Sequence, residues 1–329
     1  MAELQVPRVV AVTGASGYIG ERIVERLLTE EGVQQVLGID LRPSTLEHGK
    51  LMSIEQDITA PLDTLFRDQR VEAVVHLAFV LRQLRDRAES RRVNVGGASN
   101  VLWACEAAGV RRIVLLSSST VYGANRDNRE LLTEEAELNP SATFTYATDK
   151  ALTESYFRRY RDQHVETDVS ILRSCVVMGP SAENFITAAL DKPVLIGIGQ
   201  TDPPMQFIHE DDLVDLLWRF VSEPHPGMFN VAGTGTVRWS ELVQAARKRL
   251  IPLPAPLAYG LTALAWHLRL QSDAPSAGLD FIRWPWTVGT AKVEAELGYR
   301  FQHSSRDALE AYLGGPLRRA GGDSDQGEE

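Results

Sequence analysis

Cysteine is scarce in this chain, with two among 329 residues, Cys105 and Cys175. Two thiols cannot form the disulfide framework that staples small secreted domains, and no C-x-x-C spacing suggests a metal site. The N-terminus "MAELQVPRVVAVTG" lacks the basic segment, apolar core and small-residue cleavage site of a secretory leader. The expected location is therefore the reducing cytoplasm. Long apolar runs are missing too, since none reaches the roughly 18 residues that a span requires. The nearest, "LPAPLAYGLTALAWHL" at 253–268, is broken by two prolines and a histidine. It is expected to be a buried or lid-like helix, with membrane-surface contact as the minority alternative, and no membrane partner is expected. Positive charge is also in deficit. Lys and Arg number 34 against 44 Asp and Glu, a net charge of −10. That argues against nucleic acid as a partner, because such binders need a basic surface. It leaves room for a local basic pocket and a small anionic substrate.

What is present is alternation. Apolar β-rich runs at 8–14, 35–40, 73–78, 112–118 and 168–174 alternate with helical patterns at 18–31, 94–109 and 145–162. Continuous apolar strands belong to parallel sheets covered on both faces. The expected fold is α/β, a doubly wound parallel (Rossmann) sheet with a smaller C-terminal substrate lobe. Beyond Gly179-Pro180 the rhythm changes and proline and tryptophan increase. The expected organisation is a dinucleotide-binding domain over 1–180, with 205–233 returning to it. A substrate lobe over 181–315 and a disordered acidic tail over 316–329 complete it. No internal repeat is present.

"VTGASGYIG" (12–20) follows a strand and opens a helix, with Gly14, Gly17 and Gly20 spaced G-x-x-G-x-x-G. Such a turn lets the backbone approach a pyrophosphate, which the helix N-terminus attracts with its N–H groups. The next strand ends at Asp40, 20 residues past Gly20. A carboxylate there accepts the ribose hydroxyls of NAD and repels the 2′-phosphate of NADP. Arg42 keeps NADP open. Asp57 and Ile58 are candidates for the adenine end, by hydrogen bond and by packing. "YATDK" (146–150) sets Tyr146 and Lys150 four residues apart, on one face of a helix.

In this order, with "HLA" (76–78), "NVGGASNVL" (94–102), "LLSSSTVYG" (115–123), "LRSCVVMGP" (172–180), "FIHEDDL" (207–213) and "FNVAG" (229–233), the chain resembles a known family. It is the extended short-chain dehydrogenase/reductases, also called the NAD-dependent epimerase/dehydratase family. The likeness covers about 300 residues and implies NAD as cofactor and hydride-transfer chemistry. Tyr146 would be the acid/base, its phenol lowered from a pKa near ~10 by the Lys150 ammonium. Lys150 would also hold the nicotinamide ribose, and Ser118 would hydrogen-bond the reacting oxygen, with Ser119 and Thr120 auxiliary. Ser16, Tyr18 and Ile19 join the glycines around the pyrophosphate. Leu77, Ala78, Phe79, Asn94, Ser117 and Cys175 would line the cofactor, Cys175 reading equally as a buried structural thiol.

The resemblance implies a small-molecule substrate, with a sugar or nucleotide-sugar hydroxyl favoured. Departures bear on it. Val176 stands where nucleotide-sugar epimerases of the family carry an asparagine, with Asn184 as a substitute. Gln206 stands where many carry an arginine before "FIHEDD". Arg82, Arg85, Arg173 and Arg238 are alternative cations. The apolar, tryptophan-bearing stretch 251–288 raises a second reading, a dehydrogenase of hydrophobic, sterol-like alcohols, as in the related 3β-hydroxysteroid dehydrogenase branch. A third is a non-catalytic cofactor sensor, against which Ser118, Tyr146 and Lys150 are all retained. His209, Glu210, Asp211 and Asp212 are consecutive rather than spaced for one face, so no metal is expected. Helices 94–108 and 145–162 match the pair through which relatives dimerise, so a homodimer is expected.

Overall fold

The computed structural model describes residues 6–80, 87–268 and 276–314. The expected acidic tail, Arg82 and Arg85 lie outside the described residues. Six strands and a later seventh form one sheet. They are β1 (Val9–Thr13), β2 (Gln35–Asp40), β3 (Leu51–Glu55), β4 (Ala73–His76), β5 (Arg112–Ser118), β6 (Asp168–Ser174) and the strand Gly227–Val231. Their spatial order is Gly227–Val231, β6, β5, β4, β1, β2, β3. β1 pairs in parallel with β2 and β4, β2 with β3, and β4 with β5. The chain reverses direction across the sheet between β1 and β4. In doubly wound sheets this switch point is where ligands bind, beyond the strand C-termini. Register brings those C-termini level: Thr13 opposes both Ile39 and His76, and His76 opposes Leu115.

The strands hold because their side chains leave water on both faces. All four residues of β4 are buried, as are four of five in β1. Helices α1 (Tyr18–Thr29), α2 (Asp63–Asp68), α3 (Arg87–Arg91), α4 (Gly97–Ala108) and α5 (Thr145–Gln163) accompany the sheet. α1 buries Gly20, Ile23, Val24, Leu27 and Leu28, a stripe of helical period. The core includes Leu37, Phe66, Val74, Val101, Ile113 and Phe157. The helix expected over 94–109 is two elements. A π-helical turn, Arg92–Gly96, precedes α4, which stops at Gly109 in the left-handed conformation, φ 67°.

Two compact units divide the chain. The first holds the described residues up to Val121 with Thr145–Arg173 and Val214–Phe229; the second holds the rest. Residues 122–144, expected with the dinucleotide domain, group with the second unit. The Tyr122 hydroxyl donates to Asn230 at 2.8 Å, Asn128 donates to the Pro285 carbonyl at 2.8 Å, and Leu132 bridges Val288. The second unit contains three two-stranded ladders. Phe207–His209 lies parallel to Val176–Met178, Val237–Arg238 antiparallel to Pro204–Met205, and Arg249–Leu253 parallel to Val194–Ile198. Aromatic rings fill its centre. Phe281 meets Phe144 at 5.1 Å and Trp286 at 5.0 Å between centroids. The stretch expected to be a buried or lid-like helix forms Ala255–His267, and of that helix only Ala258 is buried.

Candidate cofactor and catalytic site

The glycine turn is built by exclusion of side chains. Gly14 has φ 75°, and a Cβ there would lie 2.7 Å from the Ala78 nitrogen. A Cβ on Gly20 would lie 2.0 Å from the Gly14 carbonyl oxygen. The Gly17 N–H donates to that same oxygen at 3.1 Å. α1 starts at Gly17 with no side-chain cap, leaving its first turn for an anion. Ser16, Tyr18 and Ile19 are half-buried around this turn. Asp40 ends β2 and accepts the Ser16 N–H at 3.1 Å and the Arg42 N–H at 3.2 Å, one on each oxygen. Each carboxylate oxygen retains a second acceptor site. The Arg42 guanidinium donates to the Ser16 carbonyl at 2.8 Å, and the Ser16 hydroxyl to the Arg42 carbonyl at 2.8 Å. The donor set fits NAD: an uncapped helix start for the pyrophosphate and a carboxylate for the ribose diol.

The two residues expected at the adenine end also carry structure. Ile58 belongs to the core, where a Cβ on Gly97 would come within 2.4 Å of its Cδ1. Asp57 accepts the Thr59 N–H at 2.9 Å and pairs with Arg92 at 3.5 Å. Partial burial acts to raise its carboxyl, but the Thr59 hydrogen bonds and the Arg92 charge outweigh it, and the net shift is down. Leu77 and Ala78 close the switch point, their N–H groups donating to the Thr13 carbonyl at 3.0 Å and hydroxyl at 3.4 Å. The Thr13 hydroxyl also meets His76 Nδ1 at 2.7 Å. His76 is fully enclosed, and desolvation, with repulsion from Lys150, pulls its pKa down to about 3.

Tyr146, Lys150 and Ser118 converge around Phe79. The Phe79 and Tyr146 rings meet edge to face, 5.4 Å apart at 82°. Lys150 Nζ lies 3.9 Å from the Phe79 centroid and donates to the Leu116 carbonyl at 2.8 Å. Ser118 Oγ accepts the Thr120 N–H at 3.3 Å and the Thr120 hydroxyl at 3.0 Å, which leaves its own proton for the Tyr146 hydroxyl. The electrostatics correct the sequence expectation. Burial pushes the Tyr146 phenol up, and a hydrogen bond from Ser118 opposes it. Lys150 is itself lowered to about 7 by desolvation, partly offset by Glu154. The ammonium lies over an aromatic face and donates to a carbonyl.

Asn94 sits in the π-helical turn and ties three segments together. Its side-chain oxygen accepts the Val80 N–H at 2.7 Å, its amide donates to Asp149 at 3.3 Å, and its backbone carbonyl accepts from Thr153 at 3.4 Å. Val80 follows Phe79, so this residue holds the loop carrying the shared ring. An extra residue per turn turns such a side chain inward, a device found often at functional sites. Ser117 faces away from the tyrosine cluster. Its hydroxyl donates to Glu154 at 2.5 Å, and Arg173 pairs with the same carboxylate at 2.8 Å, all three buried. The Ser119 hydroxyl is buried with no partner among the described residues. Cys175 lies in the second unit, and burial pushes its thiol up. That matches an inert structural thiol rather than a reactive one.

In the second unit, several expected substrate contacts carry structure instead. Asn184 caps the helix Phe185–Leu190, accepting the Ile186 and Thr187 N–H groups, and its amide donates to the Val177 carbonyl at 2.8 Å. It does not replace the missing asparagine at Val176. Gln206 exchanges two hydrogen bonds with the Val288 backbone, at 2.9 and 3.1 Å. Arg238 donates to the Asp202 carbonyl at 2.8 Å. A cation that sequence reasoning passed over is Arg283. Its guanidinium stacks on Trp284 at 4.4 Å and lies 5.5 Å from the Tyr259 ring, and its Nε is buried with no partner among the described residues. The R-W-P-W spacing put that aromatic next to it, and only the fold brought Tyr259. His209, Asp211 and His303 also converge, their ligand atoms within 4.8 Å. The two imidazoles are stacked 3.9 Å apart, and His303 Nδ1 meets Asp212 at 3.1 Å.

Comparison with known proteins follows the same lines. The model of the NAD dependent epimerase/dehydratase family matches residues 10–232. A UDP-glucose 4-epimerase of Mycolicibacterium smegmatis is 31% identical over 247 residues, covering 68% of this chain and 76% of that protein. An uncharacterised protein of Mycobacterium tuberculosis is 28% identical over 321 residues, 94% of this chain and 85% of that one. Among solved structures, MoeE5 in complex with UDP-glucuronic acid and NAD has a TM-score of 0.74 at 24% identity. The likeness spans 94% of this chain and 99% of that one.

Proposed function

The chain belongs to the NAD-dependent epimerase/dehydratase family, and from that premise we propose that it oxidises and epimerises a nucleotide-sugar hydroxyl with Tyr146, Lys150 and Ser118. Membership makes it an NAD-dependent enzyme of the epimerase/dehydratase type. The observation that carries the finer reading is the meeting of Ser118, Tyr146 and Lys150 on and around Phe79.

Bound NAD supplies the hydride acceptor. The chain's own residues handle the proton and the geometry. Tyr146 Oη takes the substrate hydroxyl proton as the C–H bond breaks, a transfer worth ~10²–10⁴-fold. Ser118, its lone pairs filled by Thr120, donates to whichever oxygen carries negative charge. Lys150 holds the ribose of the dinucleotide. Asp40 and the Gly14–Gly20 turn orient the dinucleotide. Homodimerisation through α4 and α5 belongs to the same reading. Trp103 is 53% exposed and Tyr156 38%, and both lie on that helix pair.

The test is a panel of UDP- and dTDP-sugars beside lipophilic alcohols, incubated with enzyme and NAD, with products separated by chromatography and NADH followed by fluorescence. Conversion of a nucleotide sugar without net NADH release is the expected outcome. Turnover confined to lipophilic alcohols, with stoichiometric NADH, would replace this reading with the dehydrogenase one.

A further inference from the structure

The helix Ala255–His267 is apolar but for Tyr259, Thr262 and His267, yet the fold leaves it on the surface. Leu257, Leu261, Leu264 and Leu268 are 48%, 51%, 55% and 58% exposed. At 3.6 residues per turn, all four fall within about 60° of arc. The opposite side attaches the helix to its unit. Ala258 is buried there, and the Tyr259 hydroxyl donates to Asp280 at 2.5 Å. The result is a narrow leucine row facing outward, a feature that solvated helix surfaces avoid.

Local charge departs just as far from the rest of the chain. Residues 242–268 contain no Asp or Glu, in a chain carrying 44 of them and a net charge of −10. Arg247, Lys248 and Arg249 lie in that same stretch, where the strand Arg249–Leu253 that leads into the helix begins. Arg247 and Arg249 are exposed. Arg247 holds a left-handed φ of 54°, a conformation that bulky side chains rarely adopt. A basic cluster one strand ahead of an uncharged, leucine-faced helix has the composition of an interfacial anchor.

From these observations we infer that Ala255–His267 docks the protein on a membrane surface bearing anionic lipid headgroups, with the leucine row in the acyl boundary and Arg247, Lys248 and Arg249 on the phosphates. This reverses the expectation of no membrane partner. The helix is about 20 Å long, too short to cross and suited to lying flat. A second copy of the chain fits the face less well. Four half-exposed leucines offer on the order of a few hundred Å², against about 800 Å² per partner in a stable protein interface. A lipid surface sets no such minimum.

Flotation of the full-length protein on vesicles tests the inference. The probe is phosphatidylcholine carrying roughly one-third phosphatidylglycerol, with phosphatidylcholine alone as the comparison. The protein is expected to float with the anionic vesicles and about tenfold less with the neutral ones. Leu261→Ser/Leu264→Ser, both at exposed sites, should abolish flotation with unchanged circular dichroism. Arg247→Glu/Arg249→Glu should lower it about tenfold by an independent route. Wild-type protein left at the bottom of the gradient with both vesicles would overturn the inference. So would leucine variants that float like wild type, or light scattering that shows those variants dissociating a wild-type oligomer.

Discussion

Phe79 is the residue on which the reading of the site turns. It touches both Tyr146 and Lys150, and the lysine is held by an aromatic face rather than by the phenol. Lys150 then carries a measurable consequence. Its folded pKa is about 7, below its ordinary value of 10.5, because desolvation disfavours the ammonium. For a depressed base, the stabilising contribution is present above the unfolded pKa and is lost as pH falls through the folded one. Wild-type stability relative to Lys150→Met should therefore rise between pH 7 and 10.5. Differential scanning calorimetry of the two proteins across that window checks this, and parallel profiles would contradict it. At this scale the sequence was partly legible. Asp40, Tyr146 and Lys150 could be proposed because local spacing singles them out. Ser117 could not, since its partner Glu154 arrives from α5, itself paired with Arg173 of β6. Asn184 looked like a substrate contact, but an asparagine before a short helix satisfies the cap first.

The glycine turn and the π-helical turn are the elements that shape the cofactor side. Gly20 matters through packing of α1 on the turn rather than through its φ. A methyl group there would sit 2.0 Å from the Gly14 carbonyl. Gly20→Ala should cost about 1–3 kcal/mol in stability, as overpacking does, and weaken NAD binding at least tenfold as the turn shifts. Urea unfolding and NAD titration measure the two effects, and unchanged values in both would remove the turn from the cofactor argument. The alternation of strands and helices was readable because each strand is a continuous apolar run. The π-helical turn was not, because one extra residue leaves no mark on hydrophobic periodicity. It is nevertheless what lets Asn94 reach Val80 and Asp149 together. The helix Ala255–His267 misled for a related reason. Apolar composition predicts burial, and nothing in the sequence says which residues will cover it.

For the whole molecule, the chain divides into two units whose boundaries differ from the change of rhythm after Gly179-Pro180. Residues 122–144 join the second unit through contacts more than 100 residues away in sequence, which no local pattern encodes. The assembly is expected to be a dimer, with Trp103 on α4 and Tyr156 on α5 covered in it. Light scattering at micromolar concentration should give twice the chain mass of 36.4 kDa, and Trp103→Glu should halve it. A wild-type mass of one chain would contradict that assembly. The central claim is that the Tyr146 hydroxyl carries the proton in the reaction. Its most direct test is Tyr146→Phe, measured for NAD affinity and for turnover of the nucleotide sugar that the panel identifies. Affinity within about twofold of wild type and turnover reduced ~10²–10⁴-fold is the predicted result, and turnover equal to wild type would contradict the account.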